Sequence, residues 1–203
     1  MKILPFDYYQ TADILRGAQD LLGKVLVTTV GGIRTSGIIV EAEAYRAPDD
    51  LACHASRFAH TPRGAAMFAA GGAAYVYFCR NQPLFNILFA PEGMAHCVLI
   101  RAVEPLEGIE TMQIRRHFPK KHGDLTAGPA KLTQALGIEV ATMHGVSLDG
   151  TAGIWLEDHN ILYEKISISP RIRVEGAGVA AASLLWRFFA EGNVFVSEKN
   201  YFK

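Results

Sequence analysis

The sequence has no charge imbalance: 20 Lys and Arg face 20 Asp and Glu, a net charge of zero. The field of the whole molecule would therefore not draw in a polyanion, and any nucleic-acid site has to be a local patch. Cysteine is scarce as well. Cys53, Cys79 and Cys97 form no C-x-x-C pair and no paired spacing of the kind a structural zinc site uses, and their odd number argues against a disulfide framework. Nowhere do eighteen apolar residues run together, and the opening MKILPFDYYQTADILRG has no continuous apolar stretch of the secretory type. We expect an intracellular protein, cytoplasmic (nucleoid-associated) or nuclear, with no membrane partner. The absence of internal repeats excludes solenoids and propellers.

What is present is a chain of 203 residues, 50% of them hydrophobic, which is enough for one sizeable core and short for two domains. A single domain over residues 1–203 is expected. Apolar residues repeat at helical spacing over residues 12–22, with Thr11 as N-cap and Gly23 as stop. Residues 24–30 and 33–45 read as strands joined by a Gly31-Gly32 hairpin turn. Further strands are expected at 73–79, 84–89, 97–103, 153–156 and 193–197, and helices at 105–117, 129–136 and 180–189. Turns rather than regular crossover helices separate the strands, so the fold class is α+β.

The segment GIIVEAEAYRAPDD carries the chemistry. Side chains on a strand alternate faces, which puts Ile38, Val40, Ala42 and Ala44 on one side and Ile39, Glu41, Glu43 and Tyr45 on the other. Two acids about 6–7 Å apart beside an aromatic ring can supply a general base that activates water. A solvated strand face is the alternative. Arg101 sits in the otherwise apolar run HCVLIRAVEP and needs a carboxylate partner, for which Glu43 is the candidate. His54, in a small-residue loop, has the chemistry to read the edge of a bound base, or is structural. Tyr75 and Tyr77 share a strand face and with Tyr45 could wall a flat ligand, and Asn86 in LFNILF needs buried partners or a role. Basic patches are offered by Arg57 with Arg63, by Arg115-Arg116 with Lys120-Lys121, and by Arg171 with Arg173.

Taken in order, VEAEAY, His54, TPRGAAMF, YVY, VLIRAVEPLEG and GPAKLTQALG resemble the alkyladenine (3-methyladenine) DNA glycosylase family over nearly the whole chain. The resemblance implies a single mixed α/β domain around a curved antiparallel β-sheet with peripheral helices, and excision of a damaged purine flipped out of DNA. By matching position, Glu43 would be the general base and Arg101 would help place the attacking water. Tyr45, His54 and Tyr77 would enclose the base, and Asn86 would crowd the amino group of normal guanine. Thr61, Arg63, Met67 and Lys131 would lie near the DNA backbone or pocket, with Arg171 also in contact with DNA and Leu99 packed beneath the site. The partner would be DNA containing damaged purines, bound by a monomer, and the resemblance implies no metal and no cofactor.

The chain departs from the family pattern in two places. The hairpin whose tip carries an inserting tyrosine in the family reads FCRNQPLFN here, one residue shorter, leaving Arg80, Asn81 or Gln82 to fill the gap. A glycine-rich RIGVGYAGEW pattern appears as RIRVEGAGVA, with Arg173 and Glu175 at glycine positions. Two rival readings stand beside the glycosylase: a carbohydrate glycoside hydrolase, which also pairs carboxylates with aromatic platforms, and a damage-binding module without efficient excision. A zinc deaminase is excluded by the missing H-x-E and P-C-x-x-C.

Overall fold

The computed structural model describes residues 2–197, so the two ends of the expected 1–203 domain lie outside them. Among the described residues nine strands make one open antiparallel sheet: β1 (Lys2–Ile3), β2 (Val25–Val30), β3 (Ile33–Arg46), β4 (Ala74–Cys79), β5 (Gln82–Phe89), β6 (His96–Glu107), β7 (Ile154–Asp158), β8 (Ile166–Ser169) and β9 (Arg187–Ala190). The spatial order is β1-β7-β2-β3-β6-β5-β4, with β9 paired to β3 and β8 to β9. Seven short helices flank the sheet: α1 (Ile14–Asp20), α2 (His54–Phe58), α3 (Pro62–Ala65), α4 (Ile109–Arg115), α5 (Pro129–Leu136), α6 (Val140–Met143) and α7 (Val179–Ala182). The mixed α/β, antiparallel fold class read from the sequence is the one observed.

The long strand β3 organises the molecule. Its first half pairs with β2 across the Gly31-Gly32 turn, where both glycines have positive φ (62° and 75°), while residues 41–43 pair with β9; β6 runs along its other side throughout. The main core lies against one face, where Leu26, Ile39, Ala42, Ala44, Phe85, Ile87, Val98 and Ile100 meet Ile14 of α1 and Leu132 and Leu136 of α5. The clean alternation expected along β3 is broken by a bulge. Ile39 faces Val103 and Glu41 faces Ala102, which leaves Val40 as the extra residue; Ala42 then faces Ile100, so that Arg101 is the extra residue on β6. Ile39 therefore joins Ala42 and Ala44 in the main core, whereas Val40 packs with Ala102, Ala190 and Phe195 in a separate cluster.

Other sequence expectations are corrected at their ends. Asp13, not Thr11, caps α1, accepting from the Arg16 amide at 3.1 Å. The helix expected over 105–117 begins only at Ile109, because β6 continues to Glu107 through Pro105, which faces Gly37. Gly37 leaves the room for this approach: a Cβ there would lie 2.6 Å from Val103 Cγ2. The helix expected over 180–189 is confined to α7, and the run RFFA instead forms β9. The strand expected over 193–197 is irregular chain, in which the Phe195 amide bonds the Asn193 side chain and the backbone of Ser197 bonds the side chains of Glu41 and Arg187. Helix α5 has its expected bounds, with Gly137 at φ 71° ending it.

Candidate functional site

At residues 41–45 β3 carries buried charge into the middle of the sheet. Glu43 is fully buried and accepts three hydrogen bonds: from the Ile172 amide to Oε1 at 2.7 Å, from the Tyr45 hydroxyl to Oε2 at 2.9 Å, and from Arg101 Nη1 to Oε2 at 3.4 Å. Arg101 pairs more closely with Glu41, through Nε at 2.9 Å, than with the Glu43 foreseen as its partner. Arg187 of β9 adds a second cation to Glu41 at 2.7 Å. Removing one partner from such a buried pair costs on the order of 3–5 kcal/mol, because the charge left behind is uncompensated. The bulge at Val40 and Arg101 is what lets neighbouring strands present these charges to one another.

In front of this group opens a cleft of about 990 Å³. Tyr45, His54, Tyr77, Leu99, Arg101 and Ser197 reach it. Glu43 is not among its lining residues; it lies directly behind Tyr45, Arg101 and Ile172. Leu99 faces Glu43 across the β3–β6 pair and Asn86 across β5–β6. Behind the cleft a recess of about 20 Å³, room for about one water, is bounded by Met67, Tyr75, Asn86 and Cys97 together with Tyr45, His54 and Tyr77. Asn86 is held there by donating to the Tyr75 carbonyl at 3.0 Å.

His54 is not on a loop but opens α2, and its ring stands edge-on to Tyr77 with centroids 4.5 Å apart. Its Nδ1 hydrogen-bonds the Tyr75 hydroxyl at 2.9 Å. Burial, and secondarily the nearby Arg63 cation, pushes the imidazole down to about 4, so the ring is neutral near pH 7. Its Nε2 is the nitrogen left to face a ligand in the cleft.

The walls are cationic although the chain is neutral. Arg57, Arg63, Arg80, Lys121, Lys131 and Arg173 line the cleft, and among the described residues the lining carboxylate is Asp124, paired with Lys131 at 2.8 Å. Arg63 lies over the Tyr77 ring at 5.2 Å. Arg80 and Asn81 form the exposed two-residue tip of the β4–β5 hairpin, with φ of 48° and 61°. Thr61 caps α3 through the Gly64 amide at 3.2 Å and is not part of the cleft lining. Met67 is buried and borders the recess, away from any surface that could meet a phosphate.

Arg171 is a correction. Its guanidinium is buried against Asp50 at 2.6 and 2.7 Å, bonds the carbonyls of Ala44 and Ala181, and lies over the Tyr45 ring, so it braces the site and cannot reach DNA. Arg115, through the Ala135 carbonyl, and Arg116, through the Gln134 side chain, tie the end of α4 to α5, Arg116 also donating to the Leu125 carbonyl, and both lie outside the cleft. Ile172, Arg187 and Ser197 belong to the site without having been expected there. Arg187 alone carried a signal, an arginine inside the apolar run LLWRFF. Among the described residues no group of three His, Cys, Asp or Glu is placed to hold a metal ion, and no helix is long and apolar enough to cross a membrane.

Comparison with known proteins supplies a family match. The family model described as Methylpurine-DNA glycosylase (MPG) matches residues 7–194. Proteins named "Putative 3-methyladenine DNA glycosylase" from Bacillus cereus (strain AH187) and Bacillus anthracis (strain A0248) are each 43% identical over 205 residues, covering 96% of this chain and 98% of the relative. One of the same name from Bacillus thuringiensis (strain Al Hakam) is 42% identical over the same shares.

Proposed function

Because the chain belongs to the methylpurine-DNA glycosylase family and is a DNA-repair hydrolase of that kind, we propose that it flips an alkylated or deaminated purine out of DNA and hydrolyses the bond to its sugar with a water activated by Glu43. The observation that carries this reading is Glu43 held by three donors, Arg101 among them, directly behind the floor of a cation-lined cleft. Outside the floor the cations engage phosphates, and the salt dependence of binding follows from the ions they displace. Inside the cleft, Tyr77 and Tyr45 offer aromatic faces to the flipped base and His54 offers Nε2 to its polar edge. The recess admits no ring, so the base sits in the cleft with its edge toward Asn86.

In the chemical step a C1′–O bond forms to water as the C1′–N bond breaks. The water proton passes to the Glu43 carboxylate, and the bonding electrons leave with the purine, which departs neutral when alkylation has made it cationic and, when it is a neutral deaminated base, departs as an anion that takes a proton from solvent. Arg101 steadies the carboxylate and the water. The Tyr45 hydroxyl is bonded to Oε2 and covers the carboxylate, which with three donors on its about four acceptor positions keeps one for water.

That cover over Glu43, together with a hairpin tip lacking an aromatic ring, supports a second reading in which the protein binds damage and excises poorly. The separating experiment incubates the protein with single-stranded and duplex oligonucleotides containing hypoxanthine or a methylated purine and measures abasic sites, with Glu43→Gln as control. Lesion-dependent abasic sites lost in the variant support the glycosylase; binding of lesion DNA without abasic sites supports the second reading.

A further inference from the structure

Glu41 has no part in the proton transfer assigned to Glu43, yet it is as completely buried and does not line the cleft. Its Oε1 accepts from Arg101 Nε at 2.9 Å, from Arg187 Nε at 2.7 Å and from the Ser197 hydroxyl at 2.9 Å, and its Oε2 from the Ser197 amide at 2.7 Å. With Glu43, these two arginines and two carboxylates make a neutral buried group. Ser197 closes it from the C-terminal side, accepting from Arg101 Nη2 at 3.3 Å through its hydroxyl and from Arg187 Nη2 at 2.8 Å through its carbonyl.

The three nitrogens of Arg101 are thus divided among three acceptors. Nε is held by Glu41, Nη2 by Ser197, and Nη1 addresses Glu43. A planar guanidinium gripped at two corners has its third corner fixed as well. The segment bearing Ser197 is itself anchored: Asn193 donates to Glu104 at 2.7 Å, and Phe195 and Val196 pack with Val40, Ala102 and Ala190. Val194, Val196 and Ser197 also line the cleft.

We propose that Ser197 is a positioning residue for base excision: with Glu41, its hydroxyl fixes the guanidinium of Arg101 so that Nη1 meets Glu43 and the reacting water. The residues 193–197 are then a wall of the active site and not merely a segment packed on it. This inference rests on Glu43 acting as the base. It concerns the hydroxyl alone, since the amide and carbonyl bonds of Ser197 survive replacement by alanine.

The test measures saturated single-turnover excision and lesion-DNA affinity for the wild type, Ser197→Ala, Ser197→Thr and Glu43→Gln on one methylated-purine oligonucleotide. Ser197→Ala is expected to slow excision about tenfold, a loss typical of a modest misplacement at a reacting centre, while affinity changes less than about twofold. Ser197→Thr, which keeps the hydroxyl, restores most of the rate. Wild-type speed in Ser197→Ala overturns the proposal, as does a parallel loss of rate and affinity or a failure of threonine to rescue. If Ser197→Ala does not fold, Ser197→Cys takes its place, and the same outcomes apply. Full excision by Glu43→Gln would defeat the assignment of the base alone, whereas an inactive wild type would defeat both.

Discussion

The floor of the cleft and its walls are built on opposite principles. At the floor and directly behind it, Arg101 and then Glu41, Glu43 and Arg187 are buried, come from three paired strands, and have their charges matched by short bonds. Along the walls, Arg57, Arg80, Lys121 and Arg173 are exposed and stand on a short helix, a hairpin tip and loops. A group that must be placed within fractions of an ångström belongs on the rigid element, and a group that attracts a polyanion needs only to be near it. The difference teaches that rate and affinity should be separable by position in this molecule.

The largest effect expected from breaking that division is at Glu43. Glu43→Gln keeps the shape and removes the base, so excision measured at saturating enzyme should fall by ~10²–10⁴-fold, the usual contribution of a general base. Next is the brace beneath the floor. Arg171→Met leaves Asp50 buried without its cation and should lower stability in a denaturant titration by about 3–5 kcal/mol.

On the wall, Arg63→Ala or Lys131→Ala should weaken binding of lesion and undamaged DNA alike, and should reduce the slope of log affinity against log salt by about 1 for each phosphate no longer neutralised. The smallest effect concerns His54. Its imidazole is pushed down to about 4 from an unfolded value near 6.5. The folded state therefore binds fewer protons than the unfolded one between those values, and stability falls as pH drops from about 6.5 to about 4, with no contribution above. In thermal or denaturant unfolding at pH 4.5, His54→Gln should be spared about 2–3 kcal/mol of the wild type's acid loss.

How far the sequence could be read follows the same division. On the floor, the period-two pattern of β3, the lone Arg101 in an apolar strand and the two acids beside Tyr45 carried strong local signals, and these residues do lie together. What the pattern could not supply was the bulge, which depends on how β6 pairs with β3 and which moved Val40 to the other face and gave Arg101 to Glu41 first. Arg171 looked like a surface cation because its partner Asp50 lies 121 positions away in the chain. The run LLWRFF fits a helix or a strand equally by composition, and only its pairing with Glu41, Ala42 and Glu43 settles it as β9. Residues 193–197 carry no local signal for their role, since the bonds of Ser197 go to side chains of β3 and β9.

The central claim is most directly tested by measuring, for Glu43→Gln and Arg63→Ala side by side, the saturated single-turnover excision rate and the dissociation constant for the same methylated-purine DNA. The account predicts that Glu43→Gln loses the rate and keeps the affinity, while Arg63→Ala loses affinity and keeps the saturated rate. Loss of affinity with an intact rate in Glu43→Gln would contradict it.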